Sequence, residues 1–260
     1  MKMSENLYDP IGGHTKEEAD AAYEKLFEEL HGESLAARDG ARDGTGGGMG
    51  GEAGAEARKE RVAVVGHRNP DTDSICSAIA YAELKNAIDP GRTYVPYRIG
   101  RVSDETAFVL NSFDTPAPEL LKDIKARAVI LVDHNDKAQS ATGIEEARIM
   151  EIIDHHRLAA IETAEPVTFR NMPYGSTSTI VYELYKENGM IPNKKTAGLL
   201  CAAVISDTQL FSSPATTKAD KLAGVVLAGI AGLDMEAFAA EMFSAGNTSG
   251  FAVRPDREKL

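Results

Sequence analysis

From Arg61 onward the chain alternates short apolar runs with longer segments whose apolar positions recur at helical spacing. The runs predict strands at 62–66, 94–99, 128–133, 150–154 and 166–170. The helical periodicity predicts helices at 74–88, 104–113, 144–147, 176–188, 194–206, 216–230 and 234–244. The runs VAVVG at 62–66 and AVILVD at 128–133 are almost continuously apolar rather than alternating, as strands buried on both faces of a parallel sheet are. Strand and helix in alternation predict an α/β fold, a doubly wound and mainly parallel sheet flanked by helices.

The first 60 residues break this pattern. Residues 16–35 can form an amphipathic helix carrying Ala19, Ala22, Tyr23, Leu26, Phe27 and Leu30 on one stripe. The segment that follows is rich in glycine and small residues, with Ala-Arg-Asp-Gly occurring at 37–40 and again at 41–44, and it cannot build a core. After Gly246 the sequence NTSGFAVRPDREKL has no apolar period and reads as a linker-like tail. The expected organisation is therefore a leader at 1–60, one domain at 61–246 and a tail at 247–260.

Charge follows the same division. Of the formal net charge of −12, residues 1–60 hold −7, from seven Lys/Arg against fourteen Asp/Glu, which leaves −5 for the other 200 residues. Such acidity argues against a nucleic-acid backbone as the main partner. Cys76 and Cys201 lie far apart inside apolar helical patterns, so they form neither a disulfide framework nor a zinc ribbon. No apolar run approaches the roughly 18 residues of a membrane span, and MKMSENLYDP lacks the layout of a signal peptide. A cytoplasmic protein without a membrane partner is expected.

Four polar segments follow the apolar elements: His67-Arg-Asn-Pro-Asp71-Thr-Asp73, Asp133-His134-Asn135-Asp136, Asp154-His155-His156-Arg157 and Ser206-Asp207-Thr208. In an open parallel sheet the segments after different strands meet along one edge, so residues remote in sequence can build one site. Imidazoles and carboxylates so gathered would shift one another's protonation unless a cation sat among them. With no cysteine in the set, Mn²⁺, Co²⁺ or Mg²⁺ suits it better than a structural zinc. Each residue also has a plainer reading. Asp73 could cap a helix starting at Ser74, Asp133 could end its strand in a turn, and the His155-His156 pair could be exposed. Asp207 resists dismissal, because a carboxylate at a helix C-terminus opposes the dipole.

Taken together, GHRNPDTDSICSAIAY, ILVDHND, EIIDHHR and ISDTQLF resemble, in order and spacing, the family II (manganese-dependent) inorganic pyrophosphatases of the DHH phosphoesterase superfamily. The resemblance covers about residues 61–246. It implies that His67 and Asp71 bind one Mn²⁺, that Asp73, His155 and Asp207 bind a second, and that Asp133 bridges them. It also implies that His156 faces the substrate phosphate and that Asp154 orients its neighbours. The implied reaction is hydrolysis of pyrophosphate to two orthophosphates by a water between the ions, in a homodimer joined through an edge strand.

Family members continue into a smaller domain whose Arg and Lys residues clamp pyrophosphate, and no equivalent cluster is visible at 247–260. The expectation is a complete metal site that turns pyrophosphate over weakly as given. Two other readings stay open: a DHH-type phosphodiesterase acting on oligonucleotides or cyclic dinucleotides, and a catalytically weak fragment that binds metal and dimerises.

Overall fold

The computed structural model describes residues 59–247. The helix expected at 16–35, and the leader and tail segments beyond those bounds, lie outside the described residues. Within them a six-stranded, all-parallel sheet runs in the order β3-β2-β1-β4-β5-β6. Its strands are β1 (Glu60–Val65), β2 (Arg92–Arg98), β3 (Glu119–Leu120), β4 (Ala128–Val132), β5 (Arg148–Asp154) and β6 (Thr168–Asn171). The helices are α1 (Thr72–Ile88), α2 (Asp104–Ser112), α3 (Thr177–Glu187), α4 (Lys194–Thr208), α5 (Lys218–Ala231) and α6 (Met235–Asn247). The predicted α/β class and the predicted strands and helices are present, with shifted ends.

The central strands explain the order. All five residues of β4 and the last four of β1 are buried, which only a position in the middle of a sheet covered on both faces allows. The chain builds outward from β1 through β2 to β3, then returns to lay β4 on the other side of β1. The winding reverses there, and the loops after β1 and β4 leave the sheet side by side at its carboxyl edge. That crevice is where open α/β sheets bind ligands.

The two faces are covered unequally. Val62, Val64, Ile130 and Val132 point into a core that takes residues from every α-helix among those described. Ala63, Val65, Val129 and Leu131 point into a second, smaller core that holds none. It is closed instead by irregular chain, with Ile124, Ala141 and Ile144 as its plugs. The helix expected at 144–147 is a single 3-10 turn there, Ile144–Glu146. Among the described residues the flanking by α-helices is thus one-sided. Burial in the larger core is tight: Leu84 of α1 and Ile130 of β4 are fully buried, and truncation of such a side chain to Ala costs about 2–5 kcal/mol.

Three other differences bear on the site. Helix α1 begins at Thr72, two residues early, because Asp71 and not Asp73 is its N-cap: the Asp71 side chain accepts the Ser74 N–H. Helix α4 runs through Thr208, so Asp207 lies in its last turn rather than beyond it. Strand β4 stops at Val132, and Asp133 follows it with φ of 60°. The short edge strand β3, two exposed residues, has no apolar pattern and was not expected.

Candidate metal centre

Six of the residues singled out by sequence converge at the carboxyl edge of the sheet. His67 and Asp71 come from the loop after β1 and Asp73 from the first turn of α1. Asp133 follows β4, His155 follows β5, and Asp207 comes from the end of α4. Gly66 makes the first loop possible, because a Cβ there would lie 1.8 Å from Ser74 Oγ. With no side chain in the way, Ser74 Oγ accepts the His67 N–H at 3.0 Å and draws the start of α1 against the loop. Asp133 adopts the left-handed backbone that Asp tolerates better than most residues, and is 1% exposed.

Asp133 is the hub. Its Oδ2 lies 3.3 Å from His67 Nε2, and its Oδ1 lies 3.4 Å from His155 Nε2. His67 Nε2 is also 3.3 Å from Asp71 Oδ2, and His155 Nε2 is 3.6 Å from Asp207 Oδ2. The candidate ligand atoms fall into three overlapping clusters, each within 4.8 Å: His67, Asp71 and Asp133; Asp73, Asp133, His155 and Asp207; and Asp133, His155 and His156. Asp133 belongs to all three, and the first two clusters hold the six converging residues.

The polar accounts of this site do not close without a cation. Asp133 Oδ2 and His155 Nε2 are buried with no hydrogen-bond partner. Buried polar atoms left unpaired cost about 1–3 kcal/mol each, so a native structure that keeps them has a use for them. His155 carries the hydrogen on Nδ1, which donates to the Tyr174 carbonyl at 3.0 Å and leaves the Nε2 lone pair available. Oxygen and imidazole donors in these numbers suit a divalent cation of the Mn²⁺ or Mg²⁺ type.

Protonation shows the same pressure. Burial opposes a charge on His67, yet the carboxylates of Asp133 and Asp71 beside it outweigh that and push the imidazole up to about 10. His155 is pushed up to about 9 in the same way, with burial overcome chiefly by Asp133 and Asp73. Asp133 stays well below the usual carboxylate range despite its burial, because the imidazoles of His155 and His67 lie against it. Asp207 is raised by burial and by the charges of Asp73, Asp133 and Asp71, and Asp73 is raised by burial and by Asp133. A carboxylate in the last turn of a helix is unfavourable, and this one is placed where a cation could relieve it.

His156 and Asp154 form a pair next to the cluster. Asp154 is fully buried, and its Oδ1 accepts the backbone N–H groups of His155 and His156 at 2.8 and 3.2 Å. The same oxygen accepts His156 Nδ1 at 2.9 Å, which raises the His156 pKa above its ordinary value. Asn135 donates to Asp154 Oδ2 and lowers its pKa further. His156 itself is half-exposed. It therefore offers, at the rim of the site, an imidazole whose protonated form Asp154 favours. Beside Asp71 and Asp207 a cavity of about 750 Å³ opens, lined also by Glu105, Ser206, Gln209 and Phe243.

Several residues that sequence reasoning passed over build the support. Asp73 accepts the backbone N–H groups of Thr177 and Ser178 at 2.6 and 3.0 Å, at the N-terminus of α3, and the Ser176 hydroxyl at 3.0 Å. Thr177 Oγ1 donates to Asp133 Oδ1 at 3.2 Å. The fully buried Asp220 holds this segment from behind, accepting from Gly175 N at 2.8 Å and from Thr179 Oγ1 at 2.7 Å. The available signal was GSTST at 175–179, a run of small capping residues before a helix.

Residues 61–204, more than half of the chain, match the DHH family, N-terminal domain. The chain is 52% identical over 188 residues to a protein of Clostridium acetobutylicum described as a "probable manganese-dependent inorganic pyrophosphatase", covering 72% of this chain and 60% of that protein. A Bacillus mycoides protein of the same description is 49% identical over 189 residues, with the same coverage. Among solved structures, a Methanococcus jannaschii protein described as a "putative family II inorganic pyrophosphatase" superposes with a TM-score of 0.66 at 41% identity. That match covers 71% of this chain and 61% of the other. The chain thus spans about three-fifths of the length of these relatives.

Proposed function

The chain belongs to the DHH family, and from that premise we propose that it acts in the hydrolysis of inorganic pyrophosphate to two orthophosphates with two Mn²⁺ ions. The observation that carries this reading is the pair of ligand clusters sharing Asp133. The relatives described as manganese-dependent pyrophosphatases support the choice of metal and substrate.

In this reading His67, Asp71 and Asp133 hold one ion, and Asp73, Asp133, His155 and Asp207 hold the other. Two such ions would supply Lewis acidity, lowering the pKa of a water and neutralising charge that develops on the phosphoryl oxygens. The protein's own part is to fix the geometry. Thr177 and Ser178 N–H groups hold Asp73 in place, and the Tyr174 carbonyl sets the tautomer of His155. Asp154 favours the protonated form of His156, whose ring would donate to a phosphate oxygen.

The reading extends to the setting of the protein. Free, buried Cys76 and Cys201 suit the reducing cytoplasm. A homodimer fits the outer edge of β6, where Phe169 is 43% exposed on the last strand of the sheet. The acidity of the chain disfavours nucleic acid, and no single helix among the described residues is long and apolar enough to cross a membrane.

Phosphate release from pyrophosphate, measured with and without Mn²⁺ beside a short oligonucleotide and a cyclic dinucleotide, tests the function. Mn²⁺-dependent release from pyrophosphate alone is the expected result. Release from either nucleotide substrate without release from pyrophosphate would replace this reading with a phosphodiesterase.

A further inference from the structure

We infer that Glu105 is a positioning residue that sets the spacing between the metal ligands of α1 and the metal ligand of α4. The inference rests on the metal-centre reading above. Glu105 lies in the first turn of α2 and outside both ligand clusters. Its Oε1 accepts the Thr72 hydroxyl at 2.7 Å and the Ser206 hydroxyl at 2.6 Å. Thr72 stands between Asp71 and Asp73, and Ser206 immediately precedes Asp207. One carboxylate oxygen therefore joins the turn that presents two ligands to the turn that presents another.

The join is needed because packing and charge pull differently here. Helices α1 and α4 pack along their lengths through the larger core, which sets their approximate separation. At the metal edge, Asp71, Asp73 and Asp207 bring like charges together and favour splaying of the two helix ends. Glu105 opposes this without touching a ligand, since it grips only neutral hydroxyls. It is itself well held. Thr106, next along α2, is hydrogen-bonded to Thr72 at 3.1 Å and to the N-cap Ser103 at 2.8 Å. Helix α2 packs on α6 through Phe108 and Phe238, which gives it an anchorage beyond its contacts with α1 and α4. The first turn of a helix is also a favourable place for a carboxylate.

Mn²⁺ titration calorimetry on the 260-residue chain tests the proposal without reference to turnover. Glu105→Ala should lose about 10–100-fold in Mn²⁺ affinity, the usual effect of removing a group that supports a ligand. Glu105→Gln should stay within about threefold of the unaltered chain, because its amide oxygen can still accept both hydroxyls. Ser206→Ala, which removes one bond at a half-buried position, should lose about 3–10-fold. It carries the test if Glu105→Ala fails to fold by circular dichroism. Unchanged affinity in Glu105→Ala, or in Ser206→Ala where that variant stands in, overturns the proposal. So does a Glu105→Gln loss equal to that of Glu105→Ala, which would make the role one of charge. Mn²⁺ binding without pyrophosphate hydrolysis would remove the substrate assignment and leave this inference intact. No Mn²⁺ binding by the unaltered chain would remove both.

Discussion

His155 donates from Nδ1 to the main-chain carbonyl of Tyr174 over 3.0 Å, and this bond determines which ring nitrogen is left for the cluster. A carbonyl can only accept, so Nδ1 must hold a hydrogen in every protonation state. Nε2, buried beside Asp133 and Asp207, is the nitrogen that can gain or lose one.

The expected consequence is visible by ¹⁵N-resolved NMR of the imidazoles. With Mg²⁺ as a diamagnetic ion, the His155 ring should show a protonated Nδ1 and an unprotonated Nε2. Without metal at neutral pH, both nitrogens should carry hydrogen, since the ring is pushed up to about 9. A metal-loaded protein with Nε2 protonated would remove His155 from the ligand set.

Asp71 has two separable duties. Its Oδ1 caps α1 by accepting Ser74 N at 2.9 Å, while its Oδ2 faces His67 at 3.3 Å. Asn caps helices about as well as Asp, so Asp71→Asn should keep the fold, with a change in stability below about 1 kcal/mol. It should nonetheless lose one of two Mn²⁺ ions in calorimetry. Asp71→Ala should lose the cap as well, at about 0.5–2 kcal/mol in chemical denaturation. Equal metal binding by Asp71→Asn and the unaltered chain would make Asp71 a cap and nothing more.

The sequence made the sheet and the proposed ligand set legible for different reasons. Strands β1 and β4 announce themselves because full burial on two faces requires unbroken apolar runs. His67, Asp71, Asp73, Asp133, His155 and Asp207 stood out because charged side chains directly after such runs have few plain explanations. What stayed hidden lacks a sequence signal of its own. Gln209, Leu210 and Phe211 all have positive φ, at 49°, 50° and 64°, and end α4 just after Asp207 with no glycine to mark the turn. Each such residue costs roughly 1–2 kcal/mol, so tertiary packing holds them there, with Phe211 seated against Gly224. The pairing of β4 with β5 skips Met150, a register shift that a period-two pattern cannot foresee. Ser176, Thr177 and Glu105 are ordinary surface residue types, and only the fold reveals what they grip.

Asp133 predicts a different outcome from the other ligands, because both clusters include it. Asp133→Asn retains a residue that accepts the left-handed backbone, so the loop after β4 should keep its shape. It removes one negative charge shared by two sites. Affinity for both Mn²⁺ ions should fall together, by more than the about 10–100-fold typical of a supporting residue. Asp207→Asn should weaken only one. Calorimetric isotherms resolved into two sites check both statements, and an Asp133→Asn protein that loses a single ion would end the bridging assignment.

The histidines give the metal-free protein a pH dependence whose sign can be stated. His67 and His155 are raised from 6.5 to about 10 and about 9 in the folded chain. A group raised on folding stabilises fully below its unfolded value, and that contribution is lost as pH rises through the folded value. Asp73 and Asp207, also raised, act with the same sign from their ordinary value of 3.8 upward. The chain stripped of metal should therefore lose stability between about pH 6.5 and 10, as followed by urea denaturation. Cations invert the balance, because they bind the deprotonated ligands. Mg²⁺ should protect the protein more strongly at pH 9 than at pH 6.5. At pH 7, calorimetry in buffers of differing ionisation enthalpy should detect proton release on metal binding, with His67 and His155 as the sources. Metal binding that releases no protons at pH 7 would show that the two imidazoles are already neutral, and the neighbouring carboxylates would then not govern their protonation.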